Sequence, residues 1–526
     1  MPVSEAVLTW APRRAAAARQ SAVATIRPTP KLRLTISPSW YAAAHFIKTG
    51  KRRPLYNAVA MPAISRRQLL AAAPFVLRMP AAARPNVILF MTDDHGAWAL
   101  GAYGCGEMHT PNLDRLAATG ARFTRAYAAT PVCSPSRMTY LTGLLPSHHG
   151  VQDYLIPKDS FGPESRRFLA GHLPFTELLA KAGWTLGMCG KWHMGHDEYP
   201  QAGFTYWVTV PGGGGTYRDP VFVVNGQSKK IQGYKTDIVT DYAIEFIERN
   251  RQRPFFLYVP YYAPHTPYDY QPETYRKPYL EAKFECFPRQ PMHARQNPGL
   301  KRHHGNRESM LSYSALITGV DYNVGRIVRR LEELGLRENT LIIFTADQGW
   351  NAGHHGVWGK GNGTIPFNMY EESIRVPLIW NHPGRIREGR IIAEMVSAYD
   401  FFPTILEYLG VGAPPDARRL GRSYVRLLAG AAEEWPNRLY FEYAYVRAVR
   451  TEKIKYVERT AEWPSELYDL ETDPGEAHNL IADPAYQRTL EQVRRELANV
   501  FERVDAPPLA QWRRTTSQNL NVYQNP

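Results

Sequence analysis

The chain has 526 residues, a formal net charge of +14 and a hydrophobic fraction of 44%. Thirteen lysines and arginines with one glutamate fall in residues 1–83, whereas residues 84–526 contain 50 basic and 48 acidic side chains. Because the charge excess belongs to this leader, the rest of the chain lacks the basic composition of a nucleic-acid-binding protein.

The segment before residue 84 has the order of an export signal. Residues 65–83, "SRRQLLAAAPFVLRMPAAA", join a twin arginine to a short apolar stretch and then to small residues. This order is typical of a twin-arginine-type signal peptide and predicts a periplasmic or secreted protein. The apolar stretch of about ten residues is shorter than the roughly 20 that cross a bilayer, so no membrane span is predicted.

We therefore divide the leader into two parts. Residues 61–83 are predicted to be the signal peptide, since Met61 lies at a normal distance before the arginine pair. Residues 1–60 are rich in Ala, Arg and Pro without periodicity, which indicates a disordered extension or a mis-assigned start. The alternative is an amphipathic arm that lies on a membrane surface.

Four short apolar runs each end in residues that can perform chemistry. The runs are "NVILFMTDDHG", "WTLGMCGKWHMG", "PFFLYVPYYAPHTP" and "NTLIIFTADQGW", and they lead to Asp93 and Asp94, Lys191 and His193, His265, and Asp347 and Gln348. Amphipathic helical patterns separate these runs. The alternation predicts an α/β domain over residues 84–424 with a large, mostly parallel sheet between helices. Ligands of such folds bind outside the carboxyl ends of the strands.

The pattern changes in residues 425–526. Alternating strand patterns such as "RLYFEYAYVRAVRTEKIKYVER" are followed by the helical pattern "YQRTLEQVRRELANVFERV". This predicts a smaller α+β C-terminal domain with an antiparallel sheet. Two stretches before it, residues 211–220 ("PGGGGTYRDP") and 284–308, are predicted loops, and the first lacks the Gly-Lys-Ser/Thr ending of a phosphate-binding loop. The four cysteines show no paired spacing and predict at most one disulfide.

The acidic strand ends indicate a metal site. Three carboxylates and one amide, those of Asp93, Asp94, Asp347 and Gln348, are expected at neighbouring strand ends. Such a cluster repels itself unless a cation neutralises it. Hard oxygen ligands favour Ca²⁺, with Mg²⁺ as the second choice, over zinc. Each acidic pair taken alone is also typical of a turn that closes a strand.

Cationic side chains are expected beside the acids. They are Arg137, Lys191, His193, His265 and Lys360, and all follow either a strand or Cys133. Together with a divalent cation they suit a compact anion such as a sulfate or phosphate group. A single lysine or histidine is more often a solvated or a packed residue, so the prediction depends on the whole set.

Cys133 stands out in "TPVCSPSRMTYLTG", residues 130–143, at what we expect to be an exposed, polar junction before a helix. A cysteine nucleophile with a histidine base is one explanation. However, a soft thiolate is a poor neighbour for a hard cation. The site therefore requires a reaction that turns Cys133 into an oxygen ligand.

These residues resemble the type I sulfatases. Residues 133–137, "CSPSR", are similar to the C-x-P-x-R signature of that family, in which a separate maturation enzyme oxidises the cysteine to formylglycine. The motifs "NVILFMTDD", "GKWHMG", "PHTP", "TADQG" and "WGKG" stand in the family's order, and "ELYDLETDPGEAHNL" is similar to its C-terminal motif. The resemblance implies an alkaline-phosphatase-like fold and a calcium-type site formed by Asp93, Asp94, Asp347, Gln348 and formylglycine 133. The family usually has asparagine or histidine where this chain has Gln348.

The resemblance also implies a reaction and the roles of the site residues. The substrate would be a sulfated small molecule or glycan, and its sulfate would be bound by the metal and by Arg137, Lys191, His265 and Lys360. The hydrated formylglycine would attack sulfur, His265 or Lys360 would protonate the leaving alcohol, and His193 would act as the base that regenerates the aldehyde. Two alternatives remain: a phosphodiester or phosphonate monoester hydrolase that uses the same residues, and a protein that binds sulfated glycans without catalysis. The oligomeric state is not predicted.

Overall fold

The computed structural model describes residues 84–431 and 434–514. The predictions for residues 1–60 and 61–83 lie outside the described residues, as do residues 515–526. Within the described ranges, none of the helices combines the length and the apolar character that a membrane crossing needs.

The strands form two main sheets and one short pair. Their bounds are β1 Asn86–Thr92, β2 Ala121–Tyr127, β3 Thr185–Gly190, β4 Tyr206–Thr209, β5 Val221–Val224, β6 Gln227–Lys230, β7 Phe255–Pro260, β8 Thr340–Ala346, β9 Asn351–Ala352, β10 Trp358–Gly359, β11 Arg375–Asn381, β12 Arg390–Ile392, β13 Val396–Ser397, β14 Leu439–Tyr443, β15 Val446–Arg450, β16 Ile454–Arg459 and β17 Glu466–Asp469.

The large sheet has 11 strands in the order β12-β2-β11-β8-β1-β7-β3-β4-β5-β6, with β13 also paired to β2. Its centre, β8-β1-β7-β3-β4, is parallel. Strand β11 runs antiparallel to both of its neighbours, and the β5–β6 hairpin closes one edge. The predicted large, mostly parallel sheet is confirmed.

Helices cover both faces of this sheet. The α-helices are Pro111–Ala118, Cys133–Thr142, Pro146–His149, Pro157–Ser160, Phe175–Lys181, Lys235–Asn250, Glu273–Arg276, Arg307–Glu333, Glu371–Ile374, Ala398–Tyr408, Val425–Ala429 and Gln487–Arg503.

The continuous apolar runs follow from burial on both faces. Val87 and Leu89 of β1 belong to one hydrophobic core, whereas Ile88 and Phe90 belong to the other. Successive side chains of a strand point to opposite faces, so a strand covered on both sides needs apolar residues at every position. Every residue of β1 is buried.

Strands β14 to β17 form an antiparallel sheet with neighbours in chain order, as predicted for the C-terminal part. Phe441 and Val446 of this sheet share one hydrophobic core with Val87 of the large sheet. The domain boundary at residue 424 stays a prediction.

One disulfide joins Cys105 to Cys286, while Cys133 and Cys189 are free. This agrees with the prediction of at most one bridge that need not include Cys133.

The strand register brings four chain segments to one edge of the sheet. Thr92 pairs with Ala346 and Met91 pairs with Pro260, so β8, β1 and β7 end at the same level. Strand β3 lies next to β7 in parallel. The residues that follow these four strands therefore meet, as expected for the carboxyl edge of an α/β sheet.

Candidate active site

The acidic residues that follow β1 and β8 lie side by side. Asp93, Asp94, Asp347 and Gln348 are all at most 1% exposed. The backbone amide of Asp347 donates to Thr92 O at 2.9 Å, and that of Asp94 donates to Asp347 Oδ1 at 3.4 Å. The two turns are thus hydrogen-bonded to each other, and the predicted convergence of the strand ends is present.

Cys133 is the first residue of the helix Cys133–Thr142 and is only 2% exposed. The expectation of an exposed junction is wrong, because this helix packs into the core beneath the strand ends. The Sγ atom lies 3.4 Å from Asp93 Oδ1 and 2.9 Å from Lys360 Nζ. The cysteine therefore faces the carboxylates and not the solvent.

Arg137 connects the helix to two strand ends. Its Nε and Nη2 donate to Asp347 Oδ2 at 2.9 and 2.6 Å, and its Nη1 donates to Lys191 O at 2.7 Å. The side chain is fully buried. A guanidinium that donates a hydrogen bond from each of its three nitrogens fixes the geometry of the groups around it.

The two predicted lysines neutralise the carboxylates of β1. Lys191 forms an ion pair with Asp93, and Lys360 forms one with Asp94 Oδ1 at 2.6 Å. Both lysines are nearly buried. Because the pairs are buried, removing one partner would leave an unpaired buried charge, which is far more costly than at the surface.

The charges around Cys133 change its acidity. Burial and the Asp93 carboxylate act to raise the pKa of the thiol. The positive charges of Lys191 and Lys360 outweigh them and hold this pKa well below its ordinary value. The cationic environment that was predicted for an anionic group is therefore present at residue 133.

His193 approaches Cys133 from the end of β3 and is one of its neighbours in the site. Its Nε2 lies 2.8 Å from Leu155 O, and because a carbonyl only accepts hydrogen bonds, Nε2 carries the ring proton. Nδ1 is buried and has no hydrogen-bond partner among the described residues. Burial, with the charge of Lys191, lowers the pKa of His193 to about 4. The ring is thus a neutral imidazole whose unprotonated nitrogen is Nδ1.

His265 lies at the open side of the site. Its side chain is 24% exposed, and Nε2 is 3.6 Å from Asp94 Oδ2. The ring packs on Tyr262 with 4.9 Å between ring centroids. This position suits contact with a group that enters from solvent.

The structure brings together most of the predicted metal ligands. Oxygen, sulfur or nitrogen atoms of Asp93, Asp94, Cys133 and His265 lie within 4.8 Å of one another. Gln348 Nε2 donates to Asp93 Oδ1 at 3.1 Å and to Asp94 Oδ1 at 2.7 Å. Its Oε1 is buried and has no hydrogen-bond partner in the part of the chain that the structure describes. A flip of this amide would present oxygen at the same point. Hard oxygens and an orphaned amide oxygen fit Ca²⁺ or Mg²⁺.

Asp347 and His265 lie differently with respect to the tight cluster of Asp93, Asp94, Cys133 and His265. Asp347 turns its Oδ2 to Arg137 and its Oδ1 to backbone amides, and it lies outside the tight cluster. His265, predicted for substrate binding and proton transfer, lies inside that cluster. The roles of the site residues stay predictions.

Sequence reasoning missed several residues that line the site. Lys235 is 1% exposed, and its Nζ lies 4.0 Å from the ring centroid of Tyr262. Gly213 packs against His193, and the carbonyl oxygens of Gly214 and Gly215 accept hydrogen bonds from Lys235. The run "PGGGG" was the available signal, since a run of glycines often allows close packing against a neighbouring group.

The parallel sheet, the carboxylate cluster at its edge and the helix-borne cysteine define a hydrolase of the alkaline-phosphatase-like superfamily. The sulfatase family model matches residues 85–411, and the model of the N-sulphoglucosamine sulphohydrolase C-terminal region matches residues 353–503. The chain belongs to the sulfatase family, which confirms the resemblance that its sequence motifs indicate.

Individual relatives agree with this assignment. The chain is 29% identical over 491 residues to an N-acetylglucosamine-6-O-sulfatase of Bacteroides thetaiotaomicron, covering 77% of this chain and 84% of the relative. A solved structure of a protein with its substrate D-glucosamine-2-N,6-O-disulfate is 26% identical, with a TM-score of 0.68 over 80% of this chain and 98% of that one. A phosphonate monoester hydrolase of Agrobacterium radiobacter, 23% identical with a TM-score of 0.63 over 80% of this chain and 96% of that one, shares the fold.

Proposed function

We propose that this sulfatase works through a formylglycine that a separate maturation enzyme makes from Cys133. One observation carries the proposal: Cys133 Sγ lies between Asp93 Oδ1 and Lys360 Nζ in a buried cluster of carboxylates and cations. A thiol binds a hard cation such as Ca²⁺ poorly, whereas an oxygen-bearing residue at the same position can bind it. When present, the formylglycine supplies, as its hydrate, one hydroxyl that attacks sulfur and a second that allows sulfate to be released.

We further propose that the metal is Ca²⁺, with Mg²⁺ as the second choice. Asp93, Asp94, Gln348 and residue 133 would hold it, with Asp347 beside them. When bound, the cation supplies positive charge to the sulfate oxygens and to the attacking hydroxyl. The three carboxylates already face three cationic side chains, so an added divalent cation leaves the site positive and suited to a sulfate group.

The chain's own residues would carry the remaining steps. Lys191 and Lys360 would donate to the sulfate oxygens, and Arg137 holds Asp347 and the main chain that follows β3 in place. His265, which is reached from solvent, is placed to protonate the leaving alcohol, with Lys360 as the alternative acid. His193 Nδ1, which carries no proton, would accept a proton from residue 133.

The proposed substrate class is a sulfated amino-sugar glycan. The support comes from the relatives, one an N-acetylglucosamine-6-O-sulfatase and another bound to a disulfated glucosamine. Phosphonate monoester hydrolysis is the second candidate, because a protein of that activity shares the fold and the pocket suits any compact tetrahedral anion.

We propose export to the periplasm or the medium through the twin-arginine route. The support is the sequence pattern at residues 65–83. Because that route carries folded proteins, Cys133 would have to be modified before the chain leaves the cytoplasm.

The test combines a chemical and a kinetic measurement. Mass spectrometry of the peptide that ends at Arg137 should show an aldehyde, and the same preparation should hydrolyse N-acetylglucosamine 6-sulfate or 4-nitrophenyl sulfate. An intact thiol in fully active protein would contradict the formylglycine. A kcat/KM that is higher on a phenylphosphonate monoester than on both sulfate esters would favour the second candidate, and failure to hydrolyse any of the three would support a glycan-binding protein.

A further inference from the structure

A glycine main chain, and not a side chain, packs against the imidazole of His193. Gly213 lies in the segment between β4 and β5 and has a φ of 69°. A Cβ atom on this residue would lie 2.5 Å from His193 Cγ and 2.6 Å from Nε2. Real Cβ atoms do not approach other atoms so closely, so the ring occupies the space that any side chain at residue 213 would fill.

A second constraint on the ring is a hydrogen bond. His193 Nε2 donates to Leu155 O at 2.8 Å, and the residue has a φ of 59°. The imidazole is thus confined by Leu155 O at its Nε2 edge and by Gly213 against its ring atoms. Within these constraints Nδ1 stays buried and without a hydrogen-bond partner among the described residues.

The segment that carries Gly213 is held by hydrogen bonds from Lys235. Lys235 Nζ donates to Gly215 O at 2.8 Å and to Gly214 O at 3.4 Å. Lys235 is 1% exposed, so the donor end of both bonds is buried. Gly213 therefore rests on a segment that a buried lysine holds in place, and the segment has little freedom to move away from His193.

We infer that Gly213 is a positioning residue of the sulfatase reaction. Because it has no side chain, it leaves the space that the His193 ring needs to present Nδ1 to residue 133. The inference rests on the proposed function, because it assigns Gly213 a role through the proposed base. Gly213 does not touch the substrate or residue 133 in this role. Its contribution is geometric, and it should appear in turnover more than in substrate binding.

The neighbouring glycine provides a matched control. Gly212 has a φ of 63°, so an alanine there suffers nearly the same backbone strain, about 1–2 kcal/mol, as an alanine at Gly213. However, its Cβ would meet Pro157 Cβ at 3.3 Å and would not approach His193. The two substitutions therefore differ mainly in whether the added methyl group meets the imidazole.

The experiment compares Gly213→Ala and Gly212→Ala in the full chain, with formylglycine content checked by mass spectrometry. Misplacement of a catalytic group by about 1 Å costs about 10²-fold in rate, so Gly213→Ala should lower kcat by that order with KM within about threefold. Gly212→Ala should keep kcat within about threefold of the wild type, since its methyl group does not reach the site. The substrates are 4-nitrophenyl sulfate and N-acetylglucosamine 6-sulfate.

A double-mutant cycle separates positioning from general structural damage. With His193→Ala the ring is absent, so adding Gly213→Ala should cause almost no further loss of kcat. If Gly213→Ala alone does not fold, its folding should be recovered in the His193→Ala background, because the clashing ring has been removed.

Three results would overturn the inference. The first is equal kcat for Gly213→Ala and Gly212→Ala. The second is an undiminished effect of Gly213→Ala on kcat in the His193→Ala background, and the third is a Gly213→Ala variant that does not fold and does not recover folding in that background. Wild-type protein that contains formylglycine yet hydrolyses neither sulfate ester would instead overturn the proposed function, and this inference with it.

Discussion

At the scale of single residues, the burial of Cys133 changes how the site should be understood. The residue begins a helix that the sequence places correctly, yet it is closed off from solvent and paired with Lys360 and Asp93. A maturation enzyme would therefore need access to this segment before the chain folds.

Replacing Cys133 with serine should stop turnover. Serine has one hydroxyl group, so it can form a sulfate ester but has no second hydroxyl to release it. We expect kcat to fall by at least about 10³-fold, in line with the loss of an essential nucleophile. Metal content should stay close to that of the wild type, because the carboxylates remain. Mass spectrometry after incubation with substrate should show one sulfate on the serine, and repeated turnover by this variant would contradict the prediction.

At the scale of elements, the short helix Glu371–Ile374 is tied to the C-terminal sheet by buried charges. Lys455 of β16 is fully buried and bonds to Glu371 Oε1 at 3.1 Å, to Met369 O at 2.8 Å and to Glu476. On its other side, Glu372 Oε2 lies 2.7 Å from His355 Nε2. This network connects the chain that follows Lys360 to the smaller sheet.

Lys455→Met should destabilise the fold strongly. It leaves the carboxylates of Glu371 and Glu476 buried without their main cation, and breaking such a buried pair costs about 3–5 kcal/mol. Lys453→Met is the matched control, because Lys453 pairs with Glu471 on the surface, where an ion pair contributes little to stability. Denaturant unfolding measures both, and similar losses for the two variants would argue against the importance of the buried network.

Glu372 should contribute to stability in a pH-dependent way. Burial acts to raise the pKa of Glu372, but the hydrogen bond and charge of His355 lower it from an ordinary 4.5 to about 2. An acid with a lowered native pKa adds stability above its unfolded pKa, and this stability is lost as the pH falls from about 4.5 to about 2. Glu372→Gln should therefore make the loss of unfolding free energy over that range shallower, by on the order of 3 kcal/mol. Glu388→Gln is the control, because Glu388 is exposed. If Glu372→Gln leaves the slope of unfolding free energy against pH unchanged, the pKa assigned to Glu372 is contradicted.

At the scale of the whole molecule, the site depends on four strand ends that come from distant parts of the chain. A cation that binds only this assembled site stabilises the folded protein by mass action, by about 2.7 kcal/mol at 100 times Kd. We expect protein stripped with a chelator to unfold at a higher temperature as Ca²⁺ is added back, with hydrolysis restored in parallel.

Asp94→Asn should remove this response to Ca²⁺, since the carboxylate contributes directly to the proposed site. Mg²⁺ measured under the same conditions decides which cation is preferred. An unfolding temperature of the wild type that does not change with either ion would count against a resident metal.

Several features could be read from the chain alone because their causes are local. Strands buried on both faces require unbroken apolar runs, and the polar residues that end those runs mark the carboxyl edge of a parallel sheet. Asp93, Lys191 and His265 were placed at one site by this reasoning. The five residues from Cys133 to Arg137 resemble the sulfatase signature. The match of the sulfatase family model to residues 85–411 confirms that the chain belongs to this family.

Other features were decided only by tertiary structure, because they arise between segments that have no local signal of each other. The depth of Cys133 depends on how its helix packs against the core, and the pairing of Asp347 with Arg137 depends on the position of that helix beside β8. The contact of Gly213 with His193 joins two loops whose closeness follows from the pairing of β3 with β4. Residue type and spacing determined which chemistry could occur at the sheet edge, while strand register and packing determined which side chains face one another there.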